Sequence, residues 1–154
     1  MNGKLSIRGA GRPVSARFRW QQRGERFDLE LWGPFGQGRR RLTGSPGSLT
    51  LLDGSGRVLA SGPTEQVMQS QLGWSFPIGQ LRFWVRGRPA PGSPVTAVEK
   101  RANGQFLAFD QSGWTLSYPR YEAAERLLRE PLPSLIDASD SRFQLRIALS
   151  RWDV

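Results

Sequence analysis

Val14-Ser15-Ala16-Arg17-Phe18-Arg19-Trp20-Gln21 sets the rhythm of this chain. Its even positions are apolar and its odd positions polar, which is the period of a strand with one buried and one wet face. Gln22-Arg23-Gly24-Glu25 follows as a hairpin turn. Arg26-Phe27-Asp28-Leu29-Glu30-Leu31-Trp32 then repeats the alternation, with Phe27, Leu29 and Leu31 opposite Asp28 and Glu30. Working outward, Leu49–Leu52 and Arg57–Ala60 flank Asp53-Gly54-Ser55-Gly56, a second hairpin with Gly where positive φ is needed. Val95–Lys100, Gln105–Asp110 and Trp114–Tyr118 read as a three-strand meander, turning at Ala102-Asn103-Gly104 and Gln111-Ser112-Gly113. Phe143, Leu145, Ile147 and Leu149 alternate with polar neighbours in a late strand.

Only the middle breaks the period of two. Pro63 to Gly73 carries Pro near its start and Gly after its end, the framing of a short helix, with Val67, Met68 and Leu72 as a rough apolar face. Pro77 to Gly87 repeats that framing, and Ile78, Leu81, Trp84 and Val85 fall on one helical face. Trp74-Ser75-Phe76 lies between the two. A third helical piece is expected over Glu122–Arg129, ended by Pro131 and Pro133. Helices inserted between two antiparallel meanders predict a mainly β fold. A curved sheet of about ten strands would carry the helices on its concave side. Loose packing of those helices would leave a lined apolar cavity, and tight packing an ordinary core.

With 154 residues the chain is long enough for a single domain with a proper core, spanning 1–154 with the helical insertion at 63–87. No run of about 18 apolar residues is present to span a membrane as a helix. Met1-Asn2-Gly3-Lys4-Leu5-Ser6 leads straight into a strand pattern without a leader pattern, so either the chain is cytosolic or a targeting segment has been removed. There is no cysteine, hence no disulfide and no zinc-thiolate site. There is no histidine either, which removes the commonest general base and metal ligand. The formal net charge is +9, and every basic residue except Lys4 and Lys100 is Arg. Such a surface attracts anionic partners: lipid headgroups, nucleic acid or an acidic protein.

Three groups of residues stand out. The connection Gly33-Pro34-Phe35-Gly36 carries a Phe at its tip, held by Pro and Gly; the ring is either tucked under the strands or offered to something apolar outside. Arg39-Arg40-Arg41 follows at once, as a solvated strand end or as a basic collar suited to an anionic membrane surface or a donor protein. Six Trp, at 20, 32, 74, 84, 114 and 152, belong to a Trp-rich core or to the wall of an apolar cavity. The carboxylates are scattered: Glu122 and Glu125 read as a solvated helix face, Asp137 and Asp140 as caps or turns. No phosphate loop and no metal spacing is present, so no cofactor is expected. Sheet-based binding of nucleic acid would need aromatics beside Arg on the outer face. Phe18 and Trp20 instead lie opposite Arg17 and Arg19.

Taken in order, these stretches resemble the LolB family of outer-membrane lipoprotein receptors. The similarity runs from Ala16–Gln22 through Arg26–Leu31 and Gly33-Pro34-Phe35-Gly36 to Gly44-Ser45-Pro46-Gly47. It continues with Leu72–Ile78, Leu81–Gly87, Gly113–Tyr118 and the closing strand to Trp152, and so covers nearly the whole chain. The resemblance implies an unclosed, twisted antiparallel barrel of about 10–11 strands with a small helical lid over a hydrophobic cavity. It implies a protein that takes triacylated lipoproteins from a LolA-like periplasmic carrier and inserts them into the inner leaflet of the outer membrane, as a monomer and without enzymatic activity. It implies that the Gly33–Gly36 loop, with Phe35 at its tip, enters the membrane, and it matches cavity tryptophans to Trp20, Trp84 and Trp114. Phe18, Leu29, Trp74, Leu81 and Leu116 are the expected neighbours of those indoles along the acyl-chain cavity. The family's lipidated N-terminal cysteine and N-terminal helix have no counterpart in these 154 residues, and Tyr121–Pro133 fits the family pattern poorly. The alternative from the residues is a soluble periplasmic carrier of another lipid, without an insertion step.

Overall fold

The computed structural model describes residues 1–9, 11–122 and 130–152. These form an eleven-stranded sheet and two short helices. The strands are β1 (Asn2–Arg8), β2 (Val14–Arg23), β3 (Arg26–Trp32), β4 (Arg40–Ser45), β5 (Ser48–Asp53) and β6 (Val58–Gly62). They continue after the helices as β7 (Val95–Lys100), β8 (Phe106–Gln111), β9 (Trp114–Tyr121), β10 (Pro133–Ser139) and β11 (Gln144–Arg151). The sheet order is β6-β5-β4-β3-β2-β1-β11-β10-β9-β8-β7, antiparallel throughout. The first and last strands pair in the middle, and β6 and β7 are left as unjoined edges. The chain crosses between those edges through α1 (Thr64–Leu72) and α2 (Ile78–Trp84). The expected unclosed antiparallel barrel with a helical lid is what the residues build.

Alternation decides the inner face. Leu5 and Ile7 of β1, Phe18 and Trp20 of β2, Phe27, Leu29 and Leu31 of β3 are all buried, and so are Leu145, Ile147 and Leu149 of β11. Pairing register keeps these residues level: Phe18 faces Leu31 and Trp20 faces Leu29, while Leu5 faces Ile147. A slip of one residue would send the whole set outward, so burial itself locks the register. The helices put their apolar residues on this face: Val67 and Met68 from α1, Ile78, Leu81, Trp84 and Val85 from α2 and its end. Gly79 lets α2 come this close. A Cβ there would lie 2.8 Å from Cβ of Pro46, in the β4–β5 turn.

Two strands escape the sequence pattern. In β4, Leu42 is the one fully buried large side chain, flanked by Arg40 and Gly44, so the period of two is nearly silent. In β10, Pro133 occupies the first position, where a missing N–H is tolerated. Asp137, read from sequence as a cap or turn, sits instead in mid-strand. There its oxygens accept from Nε and Nη2 of Arg146 on β11, at 2.7 and 2.9 Å. Asp140 does make the turn, accepting from the backbone N–H of Arg142 and Phe143 at 2.8 and 2.7 Å. Gln111 is likewise the last residue of β8 and not a turn residue. The expected helix over Glu122–Arg129 lies outside the described residues, apart from Glu122.

Candidate functional site

The Gly33–Gly36 connection is a tight turn: Gly36 N–H donates to the Gly33 carbonyl at 2.9 Å, and Gly33 N–H to the Gln37 carbonyl at 2.7 Å. Gly36 has φ of 81°, which favours glycine. The Gln37 side chain braces the tip from below, its Oε1 accepting from Phe35 N–H at 2.9 Å. The backbone N–H groups of Gly33, Phe35 and Gly36 are thus engaged within the turn and by Gln37, and the ring stands 94% exposed, the most exposed large apolar side chain among the described residues. Of the two positions that the sequence leaves open for Phe35, the structure takes the outer one.

The three arginines after the turn differ from one another. Arg39 Nη1 pairs with Glu30 Oε2 at 3.2 Å, and its guanidinium lies 5.0 Å from the centre of the Trp32 ring. Arg41 meets the Asp28 carboxylate with two donors, and that pairing raises its pKa through the hydrogen bond and the nearby charge. Arg40 donates to the Arg39 carbonyl at 3.0 Å and has no carboxylate partner among the described residues. Two of the three charges are therefore balanced locally by β3.

Beneath the lid lies the apolar interior. Phe18, Trp20, Leu29 and Leu81, four of the cavity residues expected from sequence, line a void of about 20 Å³ with Leu5, Phe76, Val85 and Ile147. Trp84 and Trp114 pack against each other with ring centres 6.4 Å apart, and Leu116 is fully buried. Trp74 stacks on Phe76 at 5.4 Å. The eight expected residues therefore fall in one continuous core between α2 and the sheet. In this state the interior is nearly filled: a void of this size holds about one water, and an acyl chain needs far more.

Polar residues that the sequence pattern did not mark pin one end of the lid. Gln111 is buried at an inward position of β8; its Oε1 accepts from Trp84 Nε1 at 2.8 Å and from Ala90 N–H at 2.9 Å. Its Nε2 donates to the carbonyls of Ala90 and Ser93 at 2.8 and 3.2 Å. Tyr118 Oη donates to the Trp84 carbonyl at 2.8 Å. Burial, and then the neighbouring Tyr121, push the Tyr118 phenol far above its ordinary pKa. Toward β1, β2 and β3 the underside of α2 offers apolar contact, while half-buried Arg82 donates to the Gly24 carbonyl at 2.7 Å. The signal for Gln111 was present in its spacing, two residues after inward Phe109.

Among the described residues no Asp, Glu, Lys or Arg is buried, and the polar members of the interior are Thr64, Ser75, Gln111 and Ser134 with the Tyr118 phenol. No group of three or more metal-ligating side chains occurs among the described residues, and none of their helices is long and apolar enough to cross a membrane. What the site offers is an apolar interior covered by two short helices, with one ring held outside.

Comparison with known proteins agrees with that geometry. The family model described as outer membrane lipoprotein LolB matches residues 1–152. The chain is 42% identical over 152 residues to the outer-membrane lipoprotein LolB of Chromohalobacter salexigens, covering 99% of this chain and 69% of that one. It is 35% identical over 150 residues to the protein of that name from Halorhodospira halophila, covering 97% and 72%. Against that of Cellvibrio japonicus it is 32% identical over 155 residues, covering 100% and 76%. An unclosed barrel with a lidded apolar interior and an end-to-end match of this kind place the chain in the LolB family of outer-membrane lipoproteins.

Proposed function

We propose that this protein receives lipoproteins from a LolA-like periplasmic carrier and inserts them into the outer membrane from its periplasmic face. It acts by binding and release, performs no covalent chemistry and works as a monomer. The acyl chains lie along Phe18, Trp20, Leu29, Trp74, Leu81, Trp84, Trp114 and Leu116, displacing α2 as they enter. Each buried methylene contributes about 0.8 kcal/mol toward offsetting the contacts the lid gives up. Phe35, with Gly33, Pro34 and Gly36 as its mount, enters the bilayer, and Arg39, Arg40 and Arg41 stand at headgroup level. The observation that carries this reading is the 94% exposure of Phe35 on a turn whose hydrogen bonds hold it outward.

The test is transfer of a fluorescent triacylated lipoprotein from carrier to liposomes by wild type and Phe35→Glu. The variant is expected to take the lipoprotein from the carrier and fail to deliver it. Normal delivery by Phe35→Glu would overturn the insertion step and leave a carrier of lipid alone.

A further inference from the structure

The outer face of β1 and β2 places cations directly opposite cations. Lys4 is level with Arg17 in the β1–β2 register, and Arg23 is level with Arg26 across the β2–β3 hairpin. Like charges in opposed positions destabilise a sheet. The carboxylates that could relieve them are engaged elsewhere: Asp28 with Arg41, Glu30 with Arg39 and Asp137 with Arg146. Lys4 and Arg17 are exposed, and neither has a carboxylate partner among the described residues.

These two cations line a hollow of about 280 Å³ that is roofed by Pro34, the residue next to Phe35. Ser6 and Ser15, opposite each other in the same register, put two hydroxyls into its wall. The remaining charged residue there is Arg146, already paired with Asp137, and no carboxylate lines the hollow. A larger groove of about 1080 Å³ adjoins it through Lys4 and Arg17 and carries Arg19 and Arg23 onward along β2.

We propose that the hollow under Pro34 is a phosphate site, filled by the headgroup of an anionic phospholipid when Phe35 enters the acyl layer. The proposal rests on the membrane-insertion reading of Phe35 and extends it to a specific contact. Two cations and two hydroxyls around a carboxylate-free hollow suit a phosphate dianion or diester. Position selects the source, because Pro34, which roofs the hollow, directly precedes Phe35, whose ring enters the membrane. The bound phosphate would also offset the Lys4–Arg17 repulsion, coupling headgroup binding to the fold of this sheet face.

The experiment compares flotation on phosphatidylcholine vesicles with and without phosphatidylglycerol, at low salt. The proteins are wild type, Lys4→Gln/Arg17→Gln, Phe35→Glu, and Arg86→Gln/Arg88→Gln as an exposed control of equal charge change. Lys4→Gln/Arg17→Gln is expected to lose on the order of tenfold of its association with the anionic vesicles. It should keep wild-type association with neutral vesicles and be at least as stable as wild type, while the control keeps both. Equal losses in the control would mean diffuse charge and overturn the site. Unchanged anionic binding of Lys4→Gln/Arg17→Gln, with Phe35→Glu impaired, would overturn the site and leave the membrane reading standing. No loss in either would overturn both. Thermal stabilisation by inorganic phosphate alone, lost in Lys4→Gln/Arg17→Gln with no vesicle effect, would show a soluble-anion site and overturn the headgroup assignment.

Discussion

The indole Nε1 of Trp84 donates to the side-chain oxygen of Gln111 at 2.8 Å, in a part of the core where both residues are buried. One amide thus ties the last residue of α2 to β8, and its other hydrogen bonds hold Ala90 and Ser93 in the following loop. Replacing it by an apolar side chain leaves Trp84 Nε1 and both backbone groups of Ala90 without partners. Orphaned buried groups cost about 1–3 kcal/mol each before relaxation. Gln111→Leu is expected to lower stability by about 2–4 kcal/mol in urea unfolding, at the upper end of what single substitutions usually cost. A loss under 1 kcal/mol would show that the lid end is held by packing.

Phe35 behaves in the opposite way. Its ring makes so little contact with the fold that Phe35→Ala should change unfolding stability by no more than about 0.5 kcal/mol. Its association with liposomes should nevertheless fall, since the lost ring is the apolar area offered to the bilayer. Differential scanning calorimetry beside a vesicle-binding assay reads both quantities on one sample. A large fall in Tm would show that the ring packs somewhere in solution.

The lid can be wedged. A Cβ at Gly79 would stand 2.8 Å from the Pro46 ring, whose rigid turn leaves it nowhere to rotate. Gly79→Ala gains helix propensity of up to about 1 kcal/mol, less near a helix start. Overpacking costs about 1–3 kcal/mol and should win. The expected variant is less stable, and it takes up a fluorescent fatty acid faster in stopped-flow mixing because α2 starts partly displaced. Slower uptake would place the entrance elsewhere.

Alkali should loosen the same end. Burial pushes the Tyr121 phenol up to about 12, against the partly opposing charge of Arg101, and pushes Tyr118 higher still. Unfolded tyrosine ionises near pH 10. A group whose folded pKa is raised contributes stability that is complete below the unfolded value and is lost as pH rises through the folded one. Stability should therefore fall between about pH 10 and 12, and Tyr121→Phe should flatten that fall in a chemical-unfolding series. An unchanged pH slope in the variant would show that Tyr121 ionises freely in the fold.

Acid works through Asp140. Burial draws its carboxyl upward, but the backbone N–H groups of Phe143 and Arg142 and the Arg142 guanidinium outweigh it, and the net pKa is lowered. Stability from a lowered carboxylate is present above its unfolded pKa of about 3.9 and is lost as pH falls through the folded value. Asp140→Asn should lose stability at neutral pH and show a weaker further loss below about pH 4. Parallel acid-unfolding curves for wild type and variant would rule this out.

Much of the architecture was legible from alternation. Val14–Gln21 and Arg26–Trp32 disclose their buried faces because every second side chain is large and apolar, and the Pro-to-Gly framing marks α1 and α2. Strands β4 and β10 were not legible, because their inward positions include Arg40, Gly44 and Ser134 and β10 begins on Pro133, types that ordinarily mark turns or surface. Gln111 was hidden for the same reason: a polar side chain is buried only where distant partners satisfy it. Those partners, Trp84, Ala90 and Ser93, lie 18 to 27 residues away in sequence.

By itself the sequence determined that this is a half-buried antiparallel sheet with a Trp-rich inner face, a helical interruption and an apolar ring on a Pro-Gly turn. Those properties are local, carried by the period of side chains and by the backbone limits of Pro and Gly. Only the tertiary structure decided that Phe35 stands outside, because that depended on Gln37 reaching back to its N–H and on a core already filled by others. Only the tertiary structure paired Arg39 and Arg41 with Glu30 and Asp28, and left Lys4 and Arg17 facing each other beneath Pro34. Charge is a property of residues, but its compensation is a property of which strands lie side by side.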